Sequence, residues 1–236
     1  MRLPFVALGV AVLGLVLLGA AGPTYRLGAS LPTAFTLLRW GAYVGAAGAL
    51  LAVVTAVLAY RRARRADLAV SLIALVASII AIGIPFSWQR RAASVPPIHD
   101  ITTDLDNPPM FEAIAPLRAD APNSLERPDT LASQQREGYP DLAPVTLSMP
   151  PDQAYDRALA LVQEKGWEIV TADKSSGRIE AIDTTRFFGF KDDVVIRVTP
   201  WGSGARVDMR SVSRVGRSDV GTNARRIEDF LGDLES

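Results

Sequence analysis

Three uncharged apolar runs in the first 88 residues constrain this chain more than any other feature. Leu3–Gly22, Trp40–Tyr60 and Leu68–Trp88 contain no Asp, Glu, Lys or Arg. Roughly 20 residues at 1.5 Å rise each cross the hydrocarbon of a bilayer. A strand or loop at that depth would leave backbone N–H and C=O groups unpaired, so each run is expected as a helix. Trp40, Tyr60 and Trp88 fall at the ends of runs, where amphipathic rings favour the headgroup zone.

The net charge of zero hides two unlike halves. Residues 1–88 hold seven arginines and one acid, Asp67, for a net +6, whereas residues 89–236 hold 18 basic and 24 acidic side chains, for a net −6. An acidic soluble half argues against nucleic acid, whose phosphates require a basic face. Orientation follows from Arg61-Arg62-Ala63-Arg64-Arg65, four positive charges in the short loop between the second and third runs. Such density retains a loop in the cytoplasm. The N-terminus is therefore expected inside, with three spans in the inner (cytoplasmic) membrane and the C-terminal domain periplasmic or otherwise extracytoplasmic. Gly19-Ala20-Ala21-Gly22 offers small residues for signal-peptide cleavage, but the run is long for an h-region and reads as an uncleaved anchor.

The lipid bilayer is thus the first partner. Gly41, Gly45 and Gly48 form a small-residue stripe in helix two, suited to a homo-oligomer face or to packing among the chain's own helices. Spans without ionisable groups argue against an ion path. The chain has no cysteine, which excludes disulfides, thiol nucleophiles and Cys-based metal sites. No cofactor is implied.

Nine prolines lie between residues 89 and 145. Each removes a donor and holds its predecessor extended, so 89–144 reads as a Pro-rich linker and irregular wrap without long helices. Regular periods return in 145–236. Val145–Met149, Trp167–Ala172, Arg178–Thr184, Asp193–Thr199 and Ala205–Ser213 read as strands, with Gly202-Ser203-Gly204 a hairpin turn. A helix opens at Pro150-Pro151-Asp152 and ends at Gly166, and a second is expected to start at Ser218 or Asp219. The fold expected is three transmembrane α-helices (1–88) followed by an α+β soluble domain, an antiparallel sheet with two helices on one face.

Three motifs in order carry a family resemblance: His99-Asp100-Ile101-Thr102-Thr103-Asp104 with Asn107-Pro108-Pro109-Met110-Phe111, then Gly189–Val198, then Arg210–Asp219 with Gly221, Asn223 and Ala224. Through them the chain resembles the domain of unknown function 1499 family over roughly residues 97–234. Members resemble each other in often carrying a few membrane spans ahead of the domain. The resemblance implies no activity, substrate or catalytic residue. Tyr155–Ala181 is also similar to small helix-grip modules of envelope lipoproteins.

Two candidate sites arise from residue type and placement. His99 with Asp100, Asp104 and Asp106 offers one imidazole and three carboxylates for a divalent cation, or simply turn-forming acids. Arg197, Arg210 and Arg214 alternate opposite the apolar set. Together with Arg186, Arg217 and Ser218 at a helix start, they offer an anion or lipid-headgroup site. The competing reading neutralises them with Asp183, Asp193 and Asp208. Phe187-Phe188-Gly189-Phe190 is either core or an apolar wedge. No catalytic residue is assigned, because no nucleophile-elbow or P-loop pattern is present. The expected function is a membrane-anchored, non-enzymatic envelope module binding a partner protein or an anionic headgroup. The alternative is a membrane-surface hydrolase using paired carboxylates.

Overall fold

The computed structural model describes residues 2–236, in two compact units. The first unit runs to Arg90 and also takes Phe187–Gly189; the second takes Arg91–Arg186 and Phe190–Ser236.

In the first unit the apolar runs become α1 (Leu3–Arg26), α2 (Leu31–Arg61) and α3 (Arg65–Ala93), each long and apolar enough to cross a membrane. All three extend beyond the apolar runs, because the flanking residues continue the helix. α2 begins nine residues before Trp40, where the Ser30 hydroxyl accepts the Thr33 N–H at 3.3 Å. The glycine stripe of α2 is occupied within the chain. Gly41 and Gly45 lie against Gly14 of α1, and Gly48 lies between Ala11 of α1 and Ser78 of α3. A Cβ at Gly45 would come within 2.9 Å of the Ala81 Cβ. Contacts at that range let helices gain dispersion energy where lipid removes the hydrophobic drive. One buried hydroxyl pair, Ser71 to Thr55 at 2.9 Å, also joins α2 and α3. Asp67 sits among the loop arginines, 3.6 Å from Arg2 and 3.5 Å from Arg64.

The second unit is an antiparallel sheet of six strands: β1 (Asp100–Thr102), β2 (Val145–Leu147), β3 (Glu168–Asp173), β4 (Arg178–Thr184), β5 (Lys191–Trp201) and β6 (Gly204–Ser213). The order is β1-β6-β5-β4-β3, and β2 shares with β1 the outer edge of β6. The long hairpin β5–β6 keeps an unbroken register from Asp192↔Ser213 to Trp201↔Gly204. At the β3–β4 turn Gly177 has φ +66°, and a Cβ there would meet the Val198 carbonyl oxygen at 2.1 Å, so only glycine fits.

Pleating sorts β4, β5 and β6 into two faces. On one face Ile179, Ala181, Val194, Ile196, Val198, Val207 and Met209 are buried. Helices α5 (Pro151–Glu164) and α6 (Thr222–Glu235) cover them, through Ala154, Tyr155, Ala158 and Val162 and through Ile227, Phe230, Leu231 and Leu234. Trp167 stacks on Phe230 with ring centroids 5.5 Å apart. Both helices lie on one face of an α+β fold.

The proline-rich segment departs from the sequence expectation. It contains β1, a 3-10 turn at Ala115–Arg118 and a ten-residue helix, α4 (Asp129–Gly138). Periodicity could not reveal α4 because its only buried side chain is polar. Gln135 donates to the Thr102 carbonyl at 2.6 Å and accepts the Thr102 N–H at 3.1 Å, clamping α4 to β1.

Candidate functional site

The second sheet face is also covered, by different chemistry. Residues 103–127 lie over it. A small apolar patch joins Phe111 and Ile114 of that segment to Ile182, Val195 and Val212. Around the patch, charges close in pairs. Arg210, 1% exposed, grips Asp100 with two bonds of 3.0 and 2.8 Å, donates to the Leu125 carbonyl at 2.8 Å and lies 5.4 Å above the Phe111 ring. Arg127 reaches the same Asp100 carboxylate at 3.0 Å. Asp193 holds Arg214 at 2.8 Å and Arg118 at 3.0 Å. Arg197 and Arg206 bridge Asp104 and Asp208 at 2.9–3.2 Å. Glu180 accepts the backbone N–H groups of Glu112, Ala113 and Ile114 at 2.8, 3.2 and 2.8 Å. Burial pushes Arg118 and Arg127 below the usual arginine pKa, against the pull of Asp193 and Asp100.

The arrangement disposes of most candidate anion ligands. Arg197, Arg210 and Arg214 are engaged by carboxylates, so they do not form an open cationic face; the acids that hold them are Asp104, Asp208, Asp100 and Asp193. Asp183 pairs instead with Arg226, a residue the sequence reading overlooked. Arg226 gathers Asp183, Asp192, Ser211 and Asn223 beside α6. Burial works against its charge, but Asp192 and Asp183 outweigh that and hold its pKa above the usual value. Nothing in local spacing marks Arg226, since the carboxylates that pair with it lie on β4 and β5.

The last helix starts later than expected, at Thr222, after Val220 and Gly221 turn through the left-handed region at φ 55° and 72°. Its first N–H groups are already occupied by the Asp219 carboxylate, which accepts from Gly221 at 2.9 Å and Asn223 at 2.6 Å. Burial pushes the Asp219 carboxyl above its ordinary pKa despite these bonds. The Ser218 hydroxyl accepts the Val220 N–H at 3.1 Å. Arg186 and Arg217 remain exposed.

The proposed metal ligands are dispersed. Asp100 and Asp104 face arginines, Asp104 also caps the turn by accepting the Asp106 and Asn107 N–H groups, and Asp106 is exposed. Among the described residues no group of three His, Asp or Glu side chains could hold a metal ion. Of the aromatic run, Phe188 is buried, Phe187 is 37% exposed, and the two rings meet edge-on at 4.9 Å.

One element of each candidate set meets at a shallow cleft of about 450 Å³. His99 and Arg217 line it, with Gln134 and Leu131 of α4, Asn123 and Ile98. Its walls are pinned from behind. The His99 carbonyl accepts Ser213 N–H and the Asn223 amide, both at 2.9 Å. The Asn123 amide donates to the Ser213 and Gly216 carbonyls at 2.9 Å, which fixes the loop bearing Arg217. Gln135 fixes the register of α4 and so the place of Gln134.

The family model described as "Protein of unknown function (DUF1499)" matches residues 100–234, the sheet with its wrap and helices. No curated protein matches the chain.

Proposed function

Starting from the fact that the chain belongs to the DUF1499 family, we propose that it is a membrane-anchored, non-enzymatic module that binds an anionic lipid headgroup or a partner protein through its soluble domain. The observation that carries this reading is the state of the buried carboxylates. Asp100, Asp192, Asp193 and Asp208 each lie against arginine, and Glu180 accepts three backbone N–H groups. A general acid or base must change protonation near the working pH and reach its substrate. Carboxylates bound to guanidinium or backbone N–H groups beneath a covering layer are not placed to reach a substrate, which favours recognition over the hydrolase alternative. Shallow clefts with a few convergent donors suit recognition.

Within this reading the module faces away from the cytoplasm in the cell envelope. The loop joining α2 and α3 supports that orientation, since Arg61, Arg62, Arg64 and Arg65 are its dominant charge. A reporter fused after Ser236 is expected to be active only outside the cytoplasm; activity confined to the cytosol contradicts the orientation. For binding, the full chain in phosphatidylcholine nanodiscs is expected to capture vesicles containing phosphatidylglycerol, and to release them as salt rises. Equal behaviour toward pure phosphatidylcholine vesicles contradicts the headgroup arm and leaves the partner-protein arm. Hydrolysis of ester or phosphodiester probes, abolished by an Asp→Asn change, contradicts the module reading itself.

A further inference from the structure

We infer that the cleft between His99, Arg217 and Gln134 is a binding site for a phosphate-type anion, borne by a lipid headgroup or by a free phosphomonoester. The inference rests on the binding-module reading and names its site.

Three independent observations carry it. First, the cleft lining contains no carboxylate, although the half of the chain to which it belongs has 24 acids to 18 bases. In a surface dominated by acids, this concavity offers the fixed positive charge of a guanidinium with no carboxylate in its lining to compete for it. Second, Arg217 stands apart from the arginines of the second face. Those are closed onto carboxylates, whereas Arg217 makes no ion pair or hydrogen bond among the described residues and is exposed at the cleft. Its fork of donors suits phosphate oxygens. Third, the donors are held before any ligand arrives. The backbone of His99, the loop before Arg217 and the register of α4 are each fixed by buried or half-buried bonds, none of which uses the His99 imidazole, the Arg217 guanidinium or the Gln134 amide. Preorganisation of this kind removes ordering cost from binding.

The size agrees. A volume of about 450 Å³ accommodates a phosphate together with the small group that bears it. Leu131 and Ile98 give the attached carbons an apolar wall.

His99 is the only histidine in the chain, so its imidazole is a single-site reporter. The test uses the full chain labelled with ¹³C-histidine, in nanodiscs of phosphatidylcholine alone. Titration with inorganic phosphate and with glycerol 3-phosphate is expected to move the His99 signal saturably. Arg217→Gln is expected to weaken that response about tenfold or more, the scale of losing one charge-assisted bidentate contact. Lys174→Gln, at the exposed β3–β4 turn, should leave it unchanged. Replacing part of the phosphatidylcholine with phosphatidylglycerol separates the sources. A shift without added phosphate identifies the headgroup, and a shift only with the soluble probes identifies a free phosphomonoester. A His99 signal that no probe moves, or that moves equally in Arg217→Gln, overturns the site. If no probe moves the His99 signal of the unmodified chain while that chain still captures phosphatidylglycerol vesicles, the module reading survives with its site elsewhere. An unmodified chain that shows neither response removes the two together.

Discussion

The two faces of the soluble sheet are both covered, but by opposite means. One is a stripe of aliphatic side chains under two amphipathic helices; the other is a lattice of arginines and carboxylates under a segment that has almost no periodic structure. The difference teaches what a covering layer requires. Helices satisfy their backbone polar groups internally, so α5 and α6 cover mainly apolar area, with the Arg226 cluster the polar exception. A proline-rich chain has backbone groups left over, and the second face supplies partners for them: Glu180 takes three N–H groups, and Arg210 donates to the Leu125 carbonyl. The polar face and the irregular cover satisfy each other.

The contrast can be broken most severely at Arg210. Arg210→Ala leaves Asp100 buried with only Arg127 and is expected to destabilise the full chain by roughly 3–5 kcal/mol in denaturant unfolding. Replacing all three charges, Arg210→Met and Arg127→Met with Asp100→Leu, should recover most of that loss, since the penalty comes from the unpaired charge. If the single and the triple variant unfold alike, the pairing is not what closes this face. On the opposite face Ile196→Ala should cost roughly 2–5 kcal/mol through cavity formation, with no rescue by a charge change elsewhere.

Glu180→Gln keeps the shape but weakens three bonds, with an expected cost of about 1.5–3 kcal/mol. Its signature is local: amides 112–114 should exchange faster while those of β5 and β6 do not. The smallest effect concerns Tyr139, whose phenol is pushed up to about 12 by burial first and by the nearby Asp219 charge second. A raised folded value means the unfolded chain ionises first. Its contribution is complete below pH 10 and is lost as pH rises toward about 12. Tyr139→Phe should remove that alkaline loss. At neutral pH it should leave stability unchanged or improve it by up to about 1 kcal/mol, because the Tyr139 hydroxyl is buried without a hydrogen-bond partner among the described residues.

The same contrast explains what could be read from the residues alone. The apolar face was legible because Ile179, Val194, Ile196, Val198, Val207 and Met209 repeat at period two and α6 carries one continuous stripe. The arginine face was visible as a face, but its function was not. Asp100 and Arg210 are 110 residues apart, and Arg206 and Asp104 are 102 apart, so no local spacing shows that they pair. The three-residue β1 and the polar α4 escaped for a related reason: neither carries an apolar repeat, β1 being held by its pairing with β6 and α4 by one glutamine. His99 and Arg217 were each singled out for different chemistry, and only folding brings them to one cleft. The membrane half was the easiest to read, because lipid permits no backbone solution but the helix.

That the proline-rich segment is a bolted layer, and not a tether, is the claim on which both the closed arginine face and the open cleft depend. Native-state hydrogen exchange on the full chain in nanodiscs measures it at the amides of Glu112, Ala113 and Ile114. The account predicts protection comparable to β5 and β6, lost together with the sheet. Exchange at the rate of a free peptide, beneath a sheet that remains protected, would contradict it.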